Sequence, residues 1–429
     1  MRRSFTLLAA VAALSACGGG GSMGSMPAAG TPPSSSTGSG STGGSVPPAV
    51  ASAKAAGTTV DPAIVTADNA FGFALFQNLS AGSSGNIVFS PLSAALVLQI
   101  AYNGAQGNSQ SAMAQALQLN GMNAATLNND NAALQASLIN PDPMVQLTIA
   151  NSLWSHLSVN PIVPAFTAMD ENYYGATVGD LAQAPAAVNT WITNATNGLI
   201  TSFADKPASY YSELTALLLN AVYFKGQWSE EFDPTQTMAS PFTLADGSQV
   251  TAQLMHQSSS YSYVQGANFQ MVRLPYGQGH MSLLVMLPNS GVSLAQLVAG
   301  LSIDQLNTAI GQLHASPGNI AIPKFTINFA ASLVAPLQAL GMGSAFCPSG
   351  NLSGLVAGGC LSDVTQQTVI EVDETGTTAA SVTGGGVTVT VAQQPFTMTC
   401  DHPFLYAIRD DDTSLLLFIG ALANPAASQ

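Results

Sequence analysis

The segment Glu371-Val-Asp-Glu-Thr-Gly-Thr-Thr-Ala-Ala-Ser-Val-Thr383 constrains the fold more than any other part of the chain. An apolar, β-rich run with Val369, Ile370 and Val372 ends in an acidic turn and Gly376. It then passes into residues without a large side chain. Thr377, Ala379, Ser381 and Thr383 fall on alternate positions, so in an extended strand they share one face. A face of small side chains lets a strand enter a closely packed place, such as the space between two existing strands. The simpler reading is an ordinary strand followed by a Thr/Ala/Gly-rich surface loop.

The N-terminus, Met1-Arg-Arg-Ser-Phe-Thr-Leu-Leu-Ala-Ala-Val-Ala-Ala-Leu-Ser-Ala-Cys17, joins two arginines to a short apolar run and small residues before a cysteine. The run is too short to span a bilayer and reads as a signal peptide. Leu14-Ser15-Ala16-Cys17 resembles a bacterial lipobox. That implies removal of residues 1–16 and lipidation of Cys17, whose several acyl chains give a stable anchor. Gly18 after the cysteine favours, by the same resemblance, the outer membrane of a cell envelope. The alternative is an ordinary secretory signal and a secreted, extracellular protein. Residues 17–60 are mainly Gly, Ser, Thr, Pro and Ala, with Lys54 their only charge. Such a segment cannot bury enough apolar surface to offset its ordering entropy, so it is expected to be a tether. Residues 61–429 show no second linker and no repeat, and read as one domain.

The formal charge is −14, with only eight Lys or Arg and none between Lys54 and Lys206. A basic patch is the footprint of nucleic-acid binding, so that partner is excluded. Cys347 and Cys360 flank a Pro/Gly/Ser-rich loop and are close enough to be bridged in an oxidising compartment. Cys400 is then unpaired and expected to be buried at a strand start. There is no Cys/His metal spacing, and no GxSxG, HExxH or P-loop, so neither a metal centre nor an enzyme is expected. Asp410-Asp-Asp412 reads as a solvated turn and not as a calcium loop.

Periodicity places the elements. Thr66 can cap a helix with Phe71, Leu75, Phe76 and Leu79 on its apolar face. Asn86–Ser90 is a short strand that breaks at Pro91 into a helix through Tyr102, and another helix begins near Ser109. Val145–Trp154 alternates as a strand. Val188–Ile200 has helical spacing and closes at Gly198. Leu214–Phe224 is an almost continuous apolar run, the pattern of a strand buried on both faces. Met271–Tyr276 and Met281–Leu287 read as a hairpin around Gly277-Gln-Gly279. Leu333–Leu340 is a helix ended by Gly341, and Phe404–Ile408 and Leu415–Leu422 are strands. Helices dominate early and strands late, which is an α+β arrangement.

Several of these segments resemble serpin motifs. Asn86-Ile-Val-Phe-Ser-Pro-Leu-Ser93 is similar to NIFFSPLS, and Gly104-Ala-Gln-Gly-Asn108 to GAKGNT. Val188-Asn-Thr-Trp-Ile through Gly198-Leu-Ile200 is similar to INxWVxxxTxGKI, and Leu219-Asn-Ala-Val-Tyr-Phe-Lys-Gly-Gln-Trp228 to LVNAIYFKGKW. Met255-His-Gln257, Leu274-Pro-Tyr276, Pro323-Lys-Phe325, Leu340-Gly-Met342 and Asp401-His-Pro-Phe404 follow in family order. The resemblance implies the serpin fold: a large central mixed β-sheet, further sheets, about eight to nine helices and an exposed reactive-centre loop.

It also implies an irreversible suicide-substrate inhibitor of serine, or by extension cysteine, endopeptidases, whose cleaved loop inserts into the central sheet. The hinge is Glu374, Gly376, Thr377, Thr378, Ala379 and Ala380. Control of sheet opening falls on Ser90, Ser93, Asn220 and Gln366, with Trp228 where the sheet parts at the top; ordinary core polarity is the alternative for each. Gln366 replaces the usual histidine, which keeps a donor and an acceptor but removes a titrating group. Counting from Gly376 by the family spacing puts the scissile bond at Thr390-Val391. Counting back from Pro403 gives Ala392, within a window of Val389 to Gln393. Those residues are small, β-branched or amide, which points to an elastase- or subtilisin-like target. Gly384-Gly-Gly386 weakens an inserted strand by about 2 kcal/mol. The helix around Asn123–Ser137 has no Lys or Arg, so heparin is not expected; a monomer without cofactors is. The competing reading is a non-inhibitory surface binding protein of the same fold.

Overall fold

A computed structural model describes residues 46–139, 142–198, 200–203, 206–376 and 394–427. Its helices are α1 (Pro48–Ala56), α2 (Pro62–Ser80), α3 (Pro91–Gly104), α4 (Gly107–Ala116), α5 (Ala124–Leu138), α6 (Pro164–Tyr173), α7 (Ala186–Ala195), α8 (Ala208–Ser212), α9 (Leu294–Gly300), α10 (Ile303–Gly311) and α11 (Val334–Ala339). Local chemistry starts several of them. Ser90 caps α3 by accepting from the Ser93 N–H, with Pro91 at the first position. Ser293/Gln296 and Ser302/Gln305 form capping boxes at α9 and α10. None of the helices among the described residues is long and apolar enough to cross a membrane.

Nine strands form a mixed sheet: β1 (Ile87–Phe89), β5 (Met238–Thr243), β6 (Gln249–Gln265), β7 (Phe269–Tyr276), β8 (Met281–Pro288), β9 (His314–Pro323), β12 (Phe396–Thr399), β13 (Phe404–Asp410) and β14 (Leu416–Leu422). Their order is β1-β14-β13-β8-β7-β6-β9-β12, with β5 on β6; β12 joins β9 in parallel. A second sheet has the order β3 (Thr177–Asp180), β2 (Val145–Ser155), β4 (Ala216–Gly226). A third pairs β10 (Phe325–Ser332) with β11 (Thr365–Val372). β4 and β11 approach each other without sharing a ladder among the described residues. The core fills the space between the nine-stranded sheet and α2 and α3, around Phe71, Phe76, Phe89 and Phe418.

The β7–β8 hairpin forms as its sequence predicts, Phe269 pairing with Pro288 through Tyr276 with Met281. Its turn needs glycine at position 277. There φ is +48°, and an added Cβ would lie 2.4 Å from an Asp142 carboxylate oxygen. That carboxylate accepts from the Gln278 N–H.

Other expectations need correction. α1 lies inside the stretch read as tether. Its Ala-rich sequence is a good helix former, Val50 is buried against Ala132 and Ala136 of α5, and Lys54 Nζ donates to Ile139 O at 2.7 Å. Structured residues therefore start well before position 61. Eleven α-helices occur among the described residues, nine of them long, in keeping with the fold expected. The cap of α2 is Asp61, accepting from Ala63 N at 2.9 Å; Thr66 instead bonds back to Pro62 O. α4 starts at Gly107, and Ser109 donates to Ser344 O. α7 ends at Ala195, and the chain turns at Asn197 and Gly198, both with positive φ.

β4 is not buried on both faces. Leu217, Leu219 and Ala221 are buried, whereas Ala216, Leu218 and Asn220 are half-buried. The reason is that β4 has a strand neighbour on one side only, and Ala216 and Leu218 line a cavity with Val97 and Leu98 of α3 and Leu355. Cys347 and Cys360 are disulfide-bonded, and Cys400 is free and buried.

Candidate functional site

Two groups of side chains lie along the line where β4 and β11 approach. The first is at the start of α3. Gln366 on β11 accepts from Ser90 N at 2.9 Å and donates to Ser90 O at 3.0 Å. Ser90 Oγ donates to Leu417 O at 2.8 Å. Ser93 Oγ donates to Asn220 Oδ1 on β4, and Asn220 Nδ2 donates to Asn151 Oδ1 on β2 at 2.5 Å. The first turn of α3 thus holds β11 through Ser90 and β4 through Ser93. Two strands that share no ladder are tied to one helix end.

The second group follows β11. The Asp373 carboxylate accepts from Thr375 N at 2.9 Å and Thr375 Oγ1 at 2.8 Å, a turn that delivers the chain to Gly376. Gly376 has φ +111°, and a Cβ there would sit 2.4 Å from Gly226 O, so only glycine fits. The Trp228 backbone N–H donates to Thr375 O at 3.1 Å, and its indole Nε1–H to Asp373 O at 2.9 Å. The indole is buried, stacked on Tyr276 at 4.5 Å between ring centroids.

Glu374 is 8 % exposed. Lys324 Nζ lies 2.6 Å from its Oε2, and Thr237 Oγ1 donates to its Oε1 at 2.7 Å. Burial pushes this carboxyl up, but the bonds from Lys324 and Thr237 outweigh it and hold the group below its ordinary range.

Downstream, the Phe396 ring at the start of β12 stacks on Tyr263 at 3.7 Å. It lies over Gly318, where a Cβ would come within 2.1 Å of the ring. The two flanks of residues 377–393 are therefore both pinned, one by Trp228 and one by Tyr263.

Of the residues singled out from sequence, Ser90, Ser93, Asn220 and Gln366 come together in one group, and Trp228, Glu374 and Gly376 in the other. Thr377, Thr378, Ala379, Ala380, Thr390, Val391 and Cys17 lie outside the described residues. Sequence reasoning missed Asn151, Thr237 and Lys324. A signal existed for the last: Lys324 is one of only eight basic residues and sits inside a quoted motif, and a carboxylate at the end of an apolar strand needs a counter-charge.

The family model described as Serpin (serine protease inhibitor) matches residues 66–425. The chain belongs to the serpin family. It is 31 % identical over 381 residues to an uncharacterised serpin-like protein of Thermococcus kodakarensis, covering 84 % of this chain and 86 % of that one. It is 28 % identical to a leukocyte elastase inhibitor of Sus scrofa, covering 84 % of this serpin and 98 % of that protein. The crystal structure of the thermophilic serpin tengpin in the native state superposes with a TM-score of 0.77 at 27 % identity, covering 86 % and 95 % of the two chains. The α+β serpin fold, with a large mixed sheet and further sheets, is shown. Most serpins are protease inhibitors and some are non-inhibitory; nothing points to enzymatic activity in this one.

Proposed function

We propose that this serpin is an irreversible suicide-substrate inhibitor of a serine endopeptidase. The observation that carries the reading is the hinge: Glu374-Thr-Gly376 is anchored at one end of two strands that share no ladder, and the residues after it are small. A protease nucleophile attacks the Thr390 carbonyl, the amine of Val391 leaves, and the loop enters between β4 and β11 before the acyl-enzyme is hydrolysed. Ser90, Ser93, Asn220 and Gln366 act as the clamp whose rearrangement lets the sheet part, with Trp228 and Glu374 as the first contacts to yield.

The loop residues at 389–393 fit a pocket that accepts small or β-branched side chains, an elastase- or subtilisin-like target. The presence of leukocyte elastase inhibitors among the relatives supports that choice. Lipidation of Cys17 would hold the inhibitor on the cell envelope, with residues 18–47 as the tether. Incubation with elastase or subtilisin should give a complex that survives SDS. Cleaved serpin beside free, active protease across a broad panel would instead favour a non-inhibitory surface binding protein.

A further inference from the structure

Away from the hinge, α2, α3 and α5 meet around buried polar side chains. Asp68 on α2 is 1 % exposed and Gln99 on α3 is 0 % exposed. Gln99 Nε2 donates to Asp68 Oδ1 at 2.6 Å. The remaining oxygen of each partner, Asp68 Oδ2 and Gln99 Oε1, is buried without a hydrogen-bond partner among the described residues. Both are acceptors, so neither can satisfy the other unless a proton is supplied. A proton on Asp68 Oδ2 would turn that oxygen into a donor, the group Gln99 Oε1 lacks, while Nε2–H goes on donating to Oδ1.

No ion pair among the described residues includes Asp68. The elements packed against α2 are α3, α5, α9, α10, α11 and β14. Their titratable groups are Tyr102 on α3, Asp130 on α5 and Asp304 on α10, and none of these is a cation. Tyr174 and Asp170 lie further along the same polar group, again without positive charge.

We propose that Asp68 is a protonated carboxylic acid at mildly acidic pH, closing on Gln99 as a proton-dependent latch between α2 and α3. The latch continues into α5. Asn103 Nδ2 donates to Gln99 O at 2.9 Å, Asn103 and Asn128 exchange amide bonds at 2.9 and 3.0 Å, and Tyr174 O–H donates to Asn128 Oδ1 at 2.8 Å. Ionisation sends the Oδ2 proton to solvent and leaves two buried oxygens without a donor, Asp68 Oδ2 and Gln99 Oε1, while Asp68 Oδ1 keeps the Gln99 Nε2–H. Burial pushes the Asp68 carboxyl up to about 7, opposed by the Gln99 bond. The folded state therefore binds this proton more tightly than the unfolded chain, and stability falls as pH rises through 7. The latch works whether or not the chain inhibits a protease.

Asp170 is also pushed up to about 7 by burial, and Asp130 and Asp410 are raised too, so the test must separate Asp68 from these three. The full-length protein is unfolded in urea at pH 6, 7 and 8, as wild type, Asp68→Asn and Asp170→Asn. In Asp68→Asn an amide keeps both bonds at every pH. The Asp68 share, a roughly tenfold fall in the folding equilibrium constant between pH 6 and 8, should vanish in Asp68→Asn and persist in Asp170→Asn. Wild-type pH dependence retained by Asp68→Asn would overturn the proposal. If Asp68→Asn folds poorly, infrared difference spectra decide. The Asp130→Asn/Asp170→Asn/Asp410→Asn triple variant should show a protonated-carboxyl stretch at pH 6 that is lost by pH 8.5. Its absence at pH 6 would equally overturn the proposal.

Discussion

Glu374 shows how one carboxylate joins the hinge to the body of the fold. Its two oxygens are bonded by Lys324 and Thr237, and both partners lie outside the hinge. Removing Lys324 leaves a largely buried carboxylate without its cation, so Lys324→Ala should lower stability by about 1–3 kcal/mol, read from the urea midpoint at pH 7. The sign of the pH effect follows from the depressed folded-state pKa. The stability that Glu374 contributes is present above the ordinary carboxyl value of 4.5 and is lost as pH falls below it. Glu374→Gln should therefore flatten that part of the acid limb, and an acid limb identical to wild type would argue against the pairing. The motifs pointed to Glu374, Trp228 and Gln366 because they sit at fixed steps from Gly376 or within an ordered block. Thr237 was not assigned because a contact between segments so far apart in sequence leaves no spacing to read, whereas the motif that holds Lys324 was not connected to the need of Glu374 for a cation. Thr66 and Asp61 are both capping residue types. Pro62 at the first helical position decided for Asp61, a cue available in the sequence and not weighed.

Among the elements, the first turn of α3 bonds through side chains to both β4 and β11, the contact on which the proposed clamp rests. Asn220→Ala removes a donor and an acceptor and leaves Ser93 Oγ and Asn151 Oδ1 without their partner. The expected cost is about 1–3 kcal/mol, measured by urea unfolding, and heating should convert the variant faster than wild type. On the proposed mechanism, Thr377→Arg should leave folding and cleavage intact yet turn the inhibitor into a substrate. Burying an unpaired charge in the sheet costs more than burying a neutral polar group and opposes insertion; undiminished complex formation on gels would contradict insertion. Cys347 and Cys360 are 13 residues apart, so replacing both with serine should lower stability by about 3 kcal/mol, read from denaturant midpoints under oxidising conditions. The β7–β8 hairpin was legible because two apolar strands flank a glycine turn. The half-buried face of β4 was not, since a run of apolar residues carries no record of the cavity beside it. α1 was hidden by composition: alanine serves a linker and a helix equally, and only Val50 marks the packed face.

At the scale of the whole molecule, the ordered set of motifs made the family legible in the sequence, and the family match covers residues 66–425. The packing of α1 lay outside that pattern. Because α1 begins at Pro48, the tether proposed between Cys17 and the body comprises residues 18–47. Cys17→Ser should release the protein from membrane fractions or block its processing; unchanged fractionation would remove support for lipidation. The central claim is covalent trapping, and one measurement addresses it directly: intact-mass spectrometry of the purified serpin after reaction with elastase or subtilisin. The account predicts an SDS-resistant adduct whose mass is protease plus serpin less one released peptide, Val391–Gln429. Full-length protease of unchanged mass and activity beside a simply cleaved serpin, for every protease tried, would contradict it.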